Sequence, residues 1–380
     1  MRRDADLVVA QVDDACEMRA LRLRRVEPGD TTNRRGAARL RLGDIDLIAE
    51  LIKLKRPTFD PAAQPQMVLV RTEGFCVNYR DMAIAAGATH HQSGVIIGSE
   101  FVGVVEEIGN AVPDLHPGQR VIADMQWPVP RCVDAFPGVP TNATSSEYLI
   151  LHWASLAPVP ATMPNASAAG FTLSAQTAFS MVRRAEIAPG ETVLVTAGGS
   201  NTALALIQAS AARGAKVTVT TSRMELEEFL LSLGAQRVIY LDSGRGDLAA
   251  LADAARPTGG FQVVLDPFAD AHLPSLVRAT AFFGRYVTCG VADQGWPLPA
   301  NRHTAPAHLP ELLGMLIAKN IRLTGNCLGL RADLDAAIGA YLAGIYRPII
   351  HGVFHTETLQ DFVDLSFLPS NRVGKAVYLY

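Results

Sequence analysis

The sequence predicts an α/β fold in which a doubly wound parallel sheet accompanies a smaller, β-rich domain. Three observations lead to this prediction. Residues 191–223 have the pattern of a strand, a turn of small residues, a helix and a second strand; strands and helices alternate beyond Met163; and the chain before it is rich in strands and poor in helices. A length of 380 residues suits two domains of ordinary size.

Composition narrows the class of protein and of partner. With 49% hydrophobic and 19% charged residues, the chain has the make-up of a compact globular protein. A net charge of −3 gives no electrostatic reason to expect nucleic acid or an anionic membrane as partner. The five cysteines form no CxxC pair, the chain starts without a signal-peptide pattern, and no run approaches the roughly 18 apolar residues of a membrane span. We therefore expect a cytoplasmic protein whose partner is a small molecule or peptide.

The first domain is predicted to be β-rich. Residues 1 to about 65 suggest two strands, Met18–Arg24 and Asp46–Lys55, separated by the polar segment Glu27–Gly43, which indicates a surface loop or a partly disordered stretch. The later pattern predicts a strand over Met67–Glu73, a helix over Val77–Ala86, a strand over Phe101–Ile108, a turn and strand within Pro117–Ala123, and a strand over Glu147–Leu151. We assign residues 1–162 to this domain, together with residues 331–380, which end in a returning strand.

The second domain, residues 163–330, is predicted to alternate strands and helices. A helix in two pieces spans Ala166–Arg184. The predicted strands are Val193–Thr196, Val217–Thr221, Arg237–Tyr240, Phe261–Asp266, Gly284–Gly290 and Ile321–Gly325. The predicted helices are Ala203–Ala212, Glu225–Leu233, Leu248–Ala255, Leu273–Ala281, His308–Lys319 and, in the returning segment, Leu334–Ala343. Such alternation implies a parallel sheet with helices on both faces.

The turn after the first of these strands is a candidate site for a dinucleotide pyrophosphate. It consists of Gly198, Gly199, Ser200, Asn201 and Thr202, and Ala203 follows it. Two of the three glycines of the usual GxGxxG pattern remain, and alanine at the third position still permits close helix–strand packing. Hydroxyl and amide side chains stand at the helix N-terminus, where the dipole favours an anion. An ordinary helix N-cap is the alternative interpretation of the same residues.

The end of the second strand indicates which dinucleotide is bound. An NAD site usually has Asp or Glu here, about 20 residues beyond the glycines, to hold the ribose 2′-hydroxyl. This chain has no acid there but Ser222 and Arg223. A hydroxyl and a guanidinium suit a 2′-phosphate, so we predict NADP(H) as the cofactor. A solvated arginine at the start of a helix is the alternative.

Several short motifs, in their order and spacing, carry a resemblance to a known family. They are Gly74–Asp81, Gly98–Gly109, Pro117–Val121, Ser174–Phe179, Val263–Asp266, Gly284–Gly290 and Val373–Val377. From about Met67 onward the chain resembles the medium-chain dehydrogenase/reductase superfamily. The resemblance implies a GroES-like catalytic domain, split in sequence around a Rossmann cofactor domain, with a cleft between the two. It also implies dimers or tetramers, and we expect a homodimer.

The chain departs from the zinc-dependent branch of that family. Asn78 takes the position of a zinc-ligating cysteine, although nearby Cys76 leaves that register uncertain by two residues, and Ser99 takes the position of the histidine before Glu100. The loop Met125–Thr144 contains one cysteine where the structural zinc lobe has four. Because a zinc site needs three or four converging N, S or O donors, we expect no metal.

The adjacent histidines His90 and His91 are expected in a loop beside the cleft. An atypical metal held by Cys76, Glu100 or His90 is the alternative, and it would make the chain a carbonyl or alcohol oxidoreductase. A second alternative is a family member that binds nucleotide without catalysis, because the glycine motif is incomplete.

Resemblance to the zinc-free branch implies a reductase of activated C=C bonds or quinones. Asn78 would anchor the nicotinamide or the carbonyl oxygen, and Tyr79 would donate a proton or hydrogen bond, unless Tyr79 packs in the core. We expect Arg80 and Asp81 to form an internal ion pair. Three further residues are expected at the cofactor: Thr177 at the nicotinamide, Gly290 at a strand end, and Lys375 at a phosphate unless it is a surface lysine. Trp127, Phe136 and Trp296 would line the substrate pocket, or serve as interface or core aromatics.

Overall fold

Both parts of the predicted architecture are confirmed. The computed structural model describes residues 17–27, 30, 35–87, 93–135, 138–241, 248–269, 272–291, 309–368 and 372–380. It contains a four-stranded antiparallel sheet, a mixed seven-stranded sheet and a six-stranded parallel sheet.

The β-rich part of the chain forms the first two sheets. Its elements are β1 (Glu17–Arg25), β2 (Ala37–Leu42), β3 (Ile45–Lys55), β4 (Met67–Cys76), α1 (Tyr79–Gly87), β5 (Val95–Ile96), β6 (Glu100–Ile108), β7 (Arg120–Ala123), β8 (Tyr148–His152) and β9 (Leu156–Pro158). The four-stranded sheet has the order β2-β3-β1-β5. In the seven-stranded sheet β4 is central and pairs antiparallel with β6 and β8.

Strand β2 corrects the expectation of a loop or disordered stretch over Glu27–Gly43. Its burial alternates: Ala38, Leu40 and Leu42 are buried, and the arginines between them are exposed. A tight Gly43-Asp44 turn, in which Gly43 has φ +58°, joins β2 to β3. The polar composition of the segment concealed a strand with the regular period of two.

The parallel sheet follows two connecting helices. The elements are α2 (Asn165–Ala169), α3 (Thr172–Arg184), β10 (Thr192–Val195), α4 (Asn201–Ala212), β11 (Lys216–Thr221), α5 (Glu227–Ser232), β12 (Arg237–Tyr240), α6 (Leu248–Ala255), β13 (Phe261–Asp266), α7 (Leu273–Ala279), β14 (Thr280–Thr288), α8 (Leu309–Lys319) and β15 (Arg322–Gly325). Their strand order is β12-β11-β10-β13-β14-β15, which reverses direction at β10. Val193 and Val195 pack on one face, and Leu194 packs on the other, so both faces are buried.

The last described segment returns to the seven-stranded sheet. It comprises α9 (Arg331–Leu342), β16 (Ile350–Phe354), α10 (Leu359–Phe367) and β17 (Lys375–Leu379). Of these, β16 and α10 were not predicted. Strand β17 pairs antiparallel with β4, with Val377 opposite Cys76, and this pairing carries Lys375 to the end of β4. In the parts of the chain that the structure describes, no helix has the length and apolar character needed to cross a membrane.

Candidate active site

The turn between β10 and α4 lets the chain pass close to β11. The backbone N–H of Gly198 donates to Thr220 O at 2.8 Å, and a Cβ added at Gly198 would lie 2.6 Å from Val219 Cγ1, so only glycine fits. Ser200 is the N-cap of α4, because its Oγ accepts a hydrogen bond from the N–H of Ala203 at 3.2 Å. The N-cap alternative therefore holds for Ser200. It leaves the first N–H groups of α4 beside an open surface, as anion binding requires.

A cleft of about 280 Å³ opens over this turn and contains two arginines. Its lining includes Gly199, Ser222, Arg223 and Arg372. The side chain of Arg223 is 19% exposed; it forms an ion pair with Glu225 at 3.5 Å and donates to Arg372 O at 3.2 Å. It is therefore not simply solvated. Burial lowers the pKa of Arg372, yet an arginine keeps its charge at neutral pH. Two arginine residues thus line the cleft where a 2′-phosphate was predicted, and the Nη1 of Arg372 donates to Leu365 O.

A second recess, of about 150 Å³, lies beside the first at the carboxyl ends of the parallel strands. Thr220, Asp266, Phe268 and His272 contribute to its lining. Asp266 is buried and accepts a hydrogen bond from Thr196 Oγ1 at 2.5 Å, so its carboxylate is fixed within the protein. In open α/β sheets, ligands bind at this edge where the strand order reverses. The two recesses together offer room for a nucleotide.

A third cavity, of about 370 Å³, is the cleft between the β-rich and parallel-sheet parts. Thr177, Thr202 and Gly290 line one side, and Asn78, Tyr79 and Arg80 line the other. The hydroxyl of Thr177 is buried and has no hydrogen-bond partner among the described residues. A buried polar atom without a partner costs free energy, so this hydroxyl fits a ligand group. The cleft therefore contains both predicted catalytic residues and three of the predicted cofactor residues.

Tyr79 lies on the wall of this cleft and not in the core. The residue is 41% exposed, and its ring meets Phe268 edge to face, with centroids 5.3 Å apart. The phenol is thus on the surface that a substrate would reach, which leaves its predicted role as a donor open to test.

Asn78, Glu100 and Lys375 form a buried cluster next to the cleft, which Asn78 lines. Lys375 makes an ion pair with Glu100 and donates a hydrogen bond to Asn78 Oδ1, and its side chain is 3% exposed. The amide nitrogen of Asn78 donates to Glu100 Oε1 and to Ser99 Oγ, both at 3.0 Å. Glu100 Oε2 accepts from the N–H of Leu173 at 2.9 Å. The strand pairing of β17 with β4 places the lysine here.

Two predictions need correction at this cluster. Lys375 is not a surface lysine; two of its ammonium hydrogens bond to protein, and a contact with a phosphate would use the third. Both amide hydrogens of Asn78 are donated within the protein, which leaves none to bind a carbonyl oxygen. Its Oδ1 accepts from Lys375 and keeps a second lone pair, so contact with the amide group of a nicotinamide stays a prediction.

The same residues do not fit a zinc ion. Asn78 and Ser99 are poor zinc ligands, and the ammonium of Lys375 already neutralises Glu100. Cys76 is buried in strand β4, where burial raises the pKa of its thiol well above the usual range and disfavours the thiolate that binds metals. The described residues contain no group of three or more His, Cys, Asp or Glu side chains arranged to hold a metal. His90 and His91 lie outside the described residues.

The expected ion pair between Arg80 and Asp81 is wrong. Asp81 accepts hydrogen bonds from Ser99 Oγ at 2.5 Å and from the N–H groups of Asn78 and Gly98, and burial raises the pKa of its carboxyl group. Arg80 donates its hydrogen bonds to backbone carbonyls on the cleft wall and acts on Asp81 only through space. Neighbours in sequence on a first helical turn face different directions, so adjacency did not produce contact.

Sequence reasoning missed functional candidates that long-range pairing brings in. Arg372 lines the cleft over the turn between β10 and α4, although it lies 149 residues beyond Arg223 in the sequence. Cys289 and Cys327 line the domain cleft, and burial raises the pKa of Cys289 to about 12. No sequence signal distinguishes these residues from ordinary buried ones.

Trp127 packs against the core of the β-rich part, which supports the core alternative for it, whereas Phe136 and Trp296 are outside the described residues.

Comparison with known proteins agrees with the two-part architecture of the chain. A family model described as "Alcohol dehydrogenase GroES-like domain" matches residues 64–161, and one described as "Zinc-binding dehydrogenase" matches residues 202–342. The chain is 30% identical over 330 residues to quinone oxidoreductase-like protein 2 of Mus musculus, covering 82% of this chain and 85% of that protein. It is 26% identical over 332 residues to acryloyl-coenzyme A reductase of Metallosphaera sedula, covering 83% and 92%.

Solved structures agree on the fold. The crystal structure of AibC superposes with a TM-score of 0.76 at 21% identity, covering 100% of this chain and 99% of that chain. A thermostable alcohol dehydrogenase from Pyrobaculum aerophilum superposes with a TM-score of 0.71 at 25% identity, covering 96% and 100%. The two domains in this order, the strand order and these relatives confirm the resemblance: the chain belongs to the medium-chain dehydrogenase/reductase superfamily of oxidoreductases, in its enoyl reductase-like and quinone oxidoreductase-like branch.

Proposed function

We propose that this protein is a cytoplasmic, NADPH-dependent reductase of a C=C bond conjugated to a carbonyl group, or of a quinone, and that it works without a metal. Enones, enoyl thioesters and dehydroamino acids are the acceptor classes, with secondary-metabolite or peptide tailoring as the setting. The observation that carries the proposal is the buried cluster of Lys375, Glu100 and Asn78, which reaches the cleft through Asn78 and does not fit a metal. The ammonium of Lys375 neutralises Glu100, so the cluster has no free carboxylate with which to bind a metal.

The choice of acceptor follows from the residues of this cluster. A metal polarises an isolated carbonyl group directly, and this cluster offers no comparable Lewis acid. An acceptor that is already electron-poor through conjugation does not need one. An acryloyl thioester is such a conjugated acceptor, and acryloyl-coenzyme A reductase is among the relatives of this chain.

The cofactor recesses support NADPH as the reductant. Bound NADPH would supply the hydride. The turn at Gly198 and Gly199 would hold the pyrophosphate, and Arg223 and Arg372 would hold the 2′-phosphate. The unpartnered hydroxyl of Thr177 would bond a polar group of the nicotinamide.

The remaining cleft residues would handle the acceptor. The half-exposed phenol of Tyr79 can donate a proton at the cleft wall, and the apolar surfaces of Leu173, Phe268 and Leu328 exclude water around the reacting bond. Alignment of donor and acceptor within this cleft is the main contribution that the protein would make.

The proposed partner is a second copy of the chain. Strand β15 is at the edge of the parallel sheet among the described strands, and large apolar side chains nearby are exposed: Phe282 at 63%, Ile317 at 75% and Leu323 at 45%. Edge strands with exposed apolar neighbours are commonly covered by another chain. Light scattering of the purified protein tests this: a monomer mass at micromolar concentration would contradict it.

The test of the proposed activity follows NADPH oxidation by protein purified without chelators. Cyclohexenone, acryloyl-coenzyme A, a benzoquinone and a dehydroalanine peptide serve as acceptors, and saturated analogues of each serve as controls. We expect turnover of at least one conjugated acceptor, no turnover of its saturated analogue, and no loss of activity on treatment with phenanthroline.

Three results would contradict the proposal. Stoichiometric zinc that is lost together with activity would favour the metal-dependent alternative. Oxidation of simple alcohols by NADP⁺ in preference to alkene reduction would do the same. Tight NADPH binding without turnover of any acceptor would favour a non-catalytic nucleotide-binding protein.

A further inference from the structure

Arg80 is a largely buried cation on the wall of the domain cleft with unused hydrogen-bond donors. Its Nη2 donates to Ser99 O at 3.1 Å and to Thr141 O at 2.8 Å, and its Nη1 makes one long hydrogen bond, 3.3 Å, to Gly138 O. Its Nε is buried and has no partner among the described residues. Guanidinium has five N–H donors, so two remain unused.

Charge makes this arrangement unusual. No carboxylate of the described residues forms an ion pair with Arg80, whereas Lys375, in the neighbouring cluster, is in direct contact with Glu100. Asp81 and Glu100 act on Arg80 only through space, and a buried charge is costly unless it is also paired directly, so a guanidinium that touches only carbonyl groups needs a reason to be there. A negatively charged atom of a bound ligand would provide it.

The count of charges indicates what kind of negative charge is suitable. Arg80 lines the cleft, and the buried groups behind it, Lys375 with Glu100 and Asp81, balance its charge in number. A permanently anionic group would unbalance it in a region of low dielectric constant. A neutral carbonyl group that becomes negative only during the reaction is the better match, because fixed dipoles and charges stabilise charge that develops in the transition state.

We infer that Arg80 binds the carbonyl oxygen of the acceptor and stabilises the negative charge that forms on it, a step that rests on the proposed function. The acceptor gains a hydride, with its two electrons from NADPH, at the β-carbon. The electron pair of the C=C bond then becomes part of an enolate, whose charge resides on the oxygen beside Arg80. A proton from water or from the phenol of Tyr79 forms the second C–H bond at the α-carbon, which leaves a saturated product and NADP⁺. Arg80 is in this sense a catalytic residue.

A purely structural role is the competing explanation, because the same guanidinium joins three backbone carbonyls of the cleft wall. Arg120 provides a matched comparison outside the cleft. Its Nη2 donates to Met163 O at 2.8 Å and to Asn165 Oδ1 at 2.5 Å, so it too holds backbone in place. Loss of such an interaction should lower stability without changing the rate of the chemical step.

The experiment measures single-turnover hydride transfer from bound NADPH to an enone and to an enoyl thioester. The variants are R80K, R80Q and R80M, with R120M as control. We expect the rate to fall in the order wild type, R80K, R80Q, R80M, with a loss of about 10²–10³-fold in R80M, as for removal of an oxyanion donor. The dissociation constant for NADPH should stay within about twofold, and R120M should match the wild-type rate.

Equal rates in R80K and R80Q would overturn the inference, because the two variants differ in charge at similar size. That comparison also decides the matter if R80M does not fold. Addition of guanidinium ion to R80A should restore part of the lost rate, which a structural role would not produce. Turnover by wild type with an unchanged rate in R80M overturns this inference alone, whereas no turnover of any conjugated acceptor by wild type overturns the proposed function as well.

Discussion

Replacement of Lys375 by methionine should destabilise the protein strongly, because it removes one partner of a fully buried ion pair. The side chains of Lys375 and Glu100 are 3% and 1% exposed. Methionine has nearly the same length and fits the space, so the substitution removes charge and leaves packing largely intact. The carboxylate of Glu100 would then remain in the interior without its cation.

The magnitude follows from the hydrogen bonds that remain. Loss of one partner of a buried pair costs about 3–5 kcal/mol. Glu100 would keep the amide of Asn78 at 3.0 Å and the N–H of Leu173 at 2.9 Å, which partly compensate its charge. We therefore expect a loss of about 3 kcal/mol in the free energy of unfolding, at the lower end of that range.

The assay is equilibrium urea unfolding followed by both circular dichroism and tryptophan fluorescence. The control is K53M, which breaks the exposed pair of Lys53 and Glu17 and should cost less than about 1 kcal/mol. The double variant E100Q/K375M, in which both charges are gone, should be more stable than K375M alone. A K375M protein within about 1 kcal/mol of wild type would refute the claim that the ammonium holds the charge of Glu100.

Three further predictions concern the cofactor and the first sheet. R223A should weaken NADPH binding by about 10- to 100-fold and leave NADH binding nearly unchanged. R213A, at an exposed site, should change the binding of neither dinucleotide. Equal losses for both dinucleotides by fluorescence titration would contradict the 2′-phosphate contact. T177V should raise the KM for NADPH several-fold without altering the melting temperature, and an unchanged KM would show that the hydroxyl contacts no cofactor. Burial opposes ionisation of Glu50, but hydrogen bonds from Arg22 and Arg24 lower the pKa of its carboxyl group below 4.5. The ionised carboxylate therefore stabilises the folded protein above pH 4.5, and this stabilisation is lost as the pH falls through the lowered pKa. E50Q should therefore be less stable than wild type by about 3 kcal/mol at pH 7 and by progressively less in acid unfolding titrations, and a pH-independent difference would contradict the linkage.

Local sequence patterns were enough to predict most of the fold. The unit from β10 to β11 could be predicted because its strand, turn and helix are contiguous, and the glycine at Gly198 is required by the close approach of Val219. Strand β2 was missed although its alternation was visible, because an arginine-rich and glycine-bearing composition suggested a loop. Composition and periodicity disagreed there, and periodicity was the better guide.

The site was only partly predictable, because its chemistry depends on contacts between distant segments. The sequence places Asn78 and Glu100 near each other through neighbouring strands, but only the pairing of β17 with β4 shows that Lys375 lies between them. The direction of Arg80 similarly depends on carbonyl groups at Ser99 and Thr141. Residue type and spacing identify candidates, but they do not tell which of two adjacent side chains turns inward.

The separation of Glu100 from Lys375 by 275 residues also affects how the protein is made. At ordinary rates of synthesis, a nascent chain would present that carboxylate to its surroundings for tens of seconds before its cation emerges from the ribosome. The surroundings of Glu100 must therefore stay hydrated and open during translation, and they close only when β17 docks beside β4. Chaperones that bind unfinished strand edges would act on this sheet.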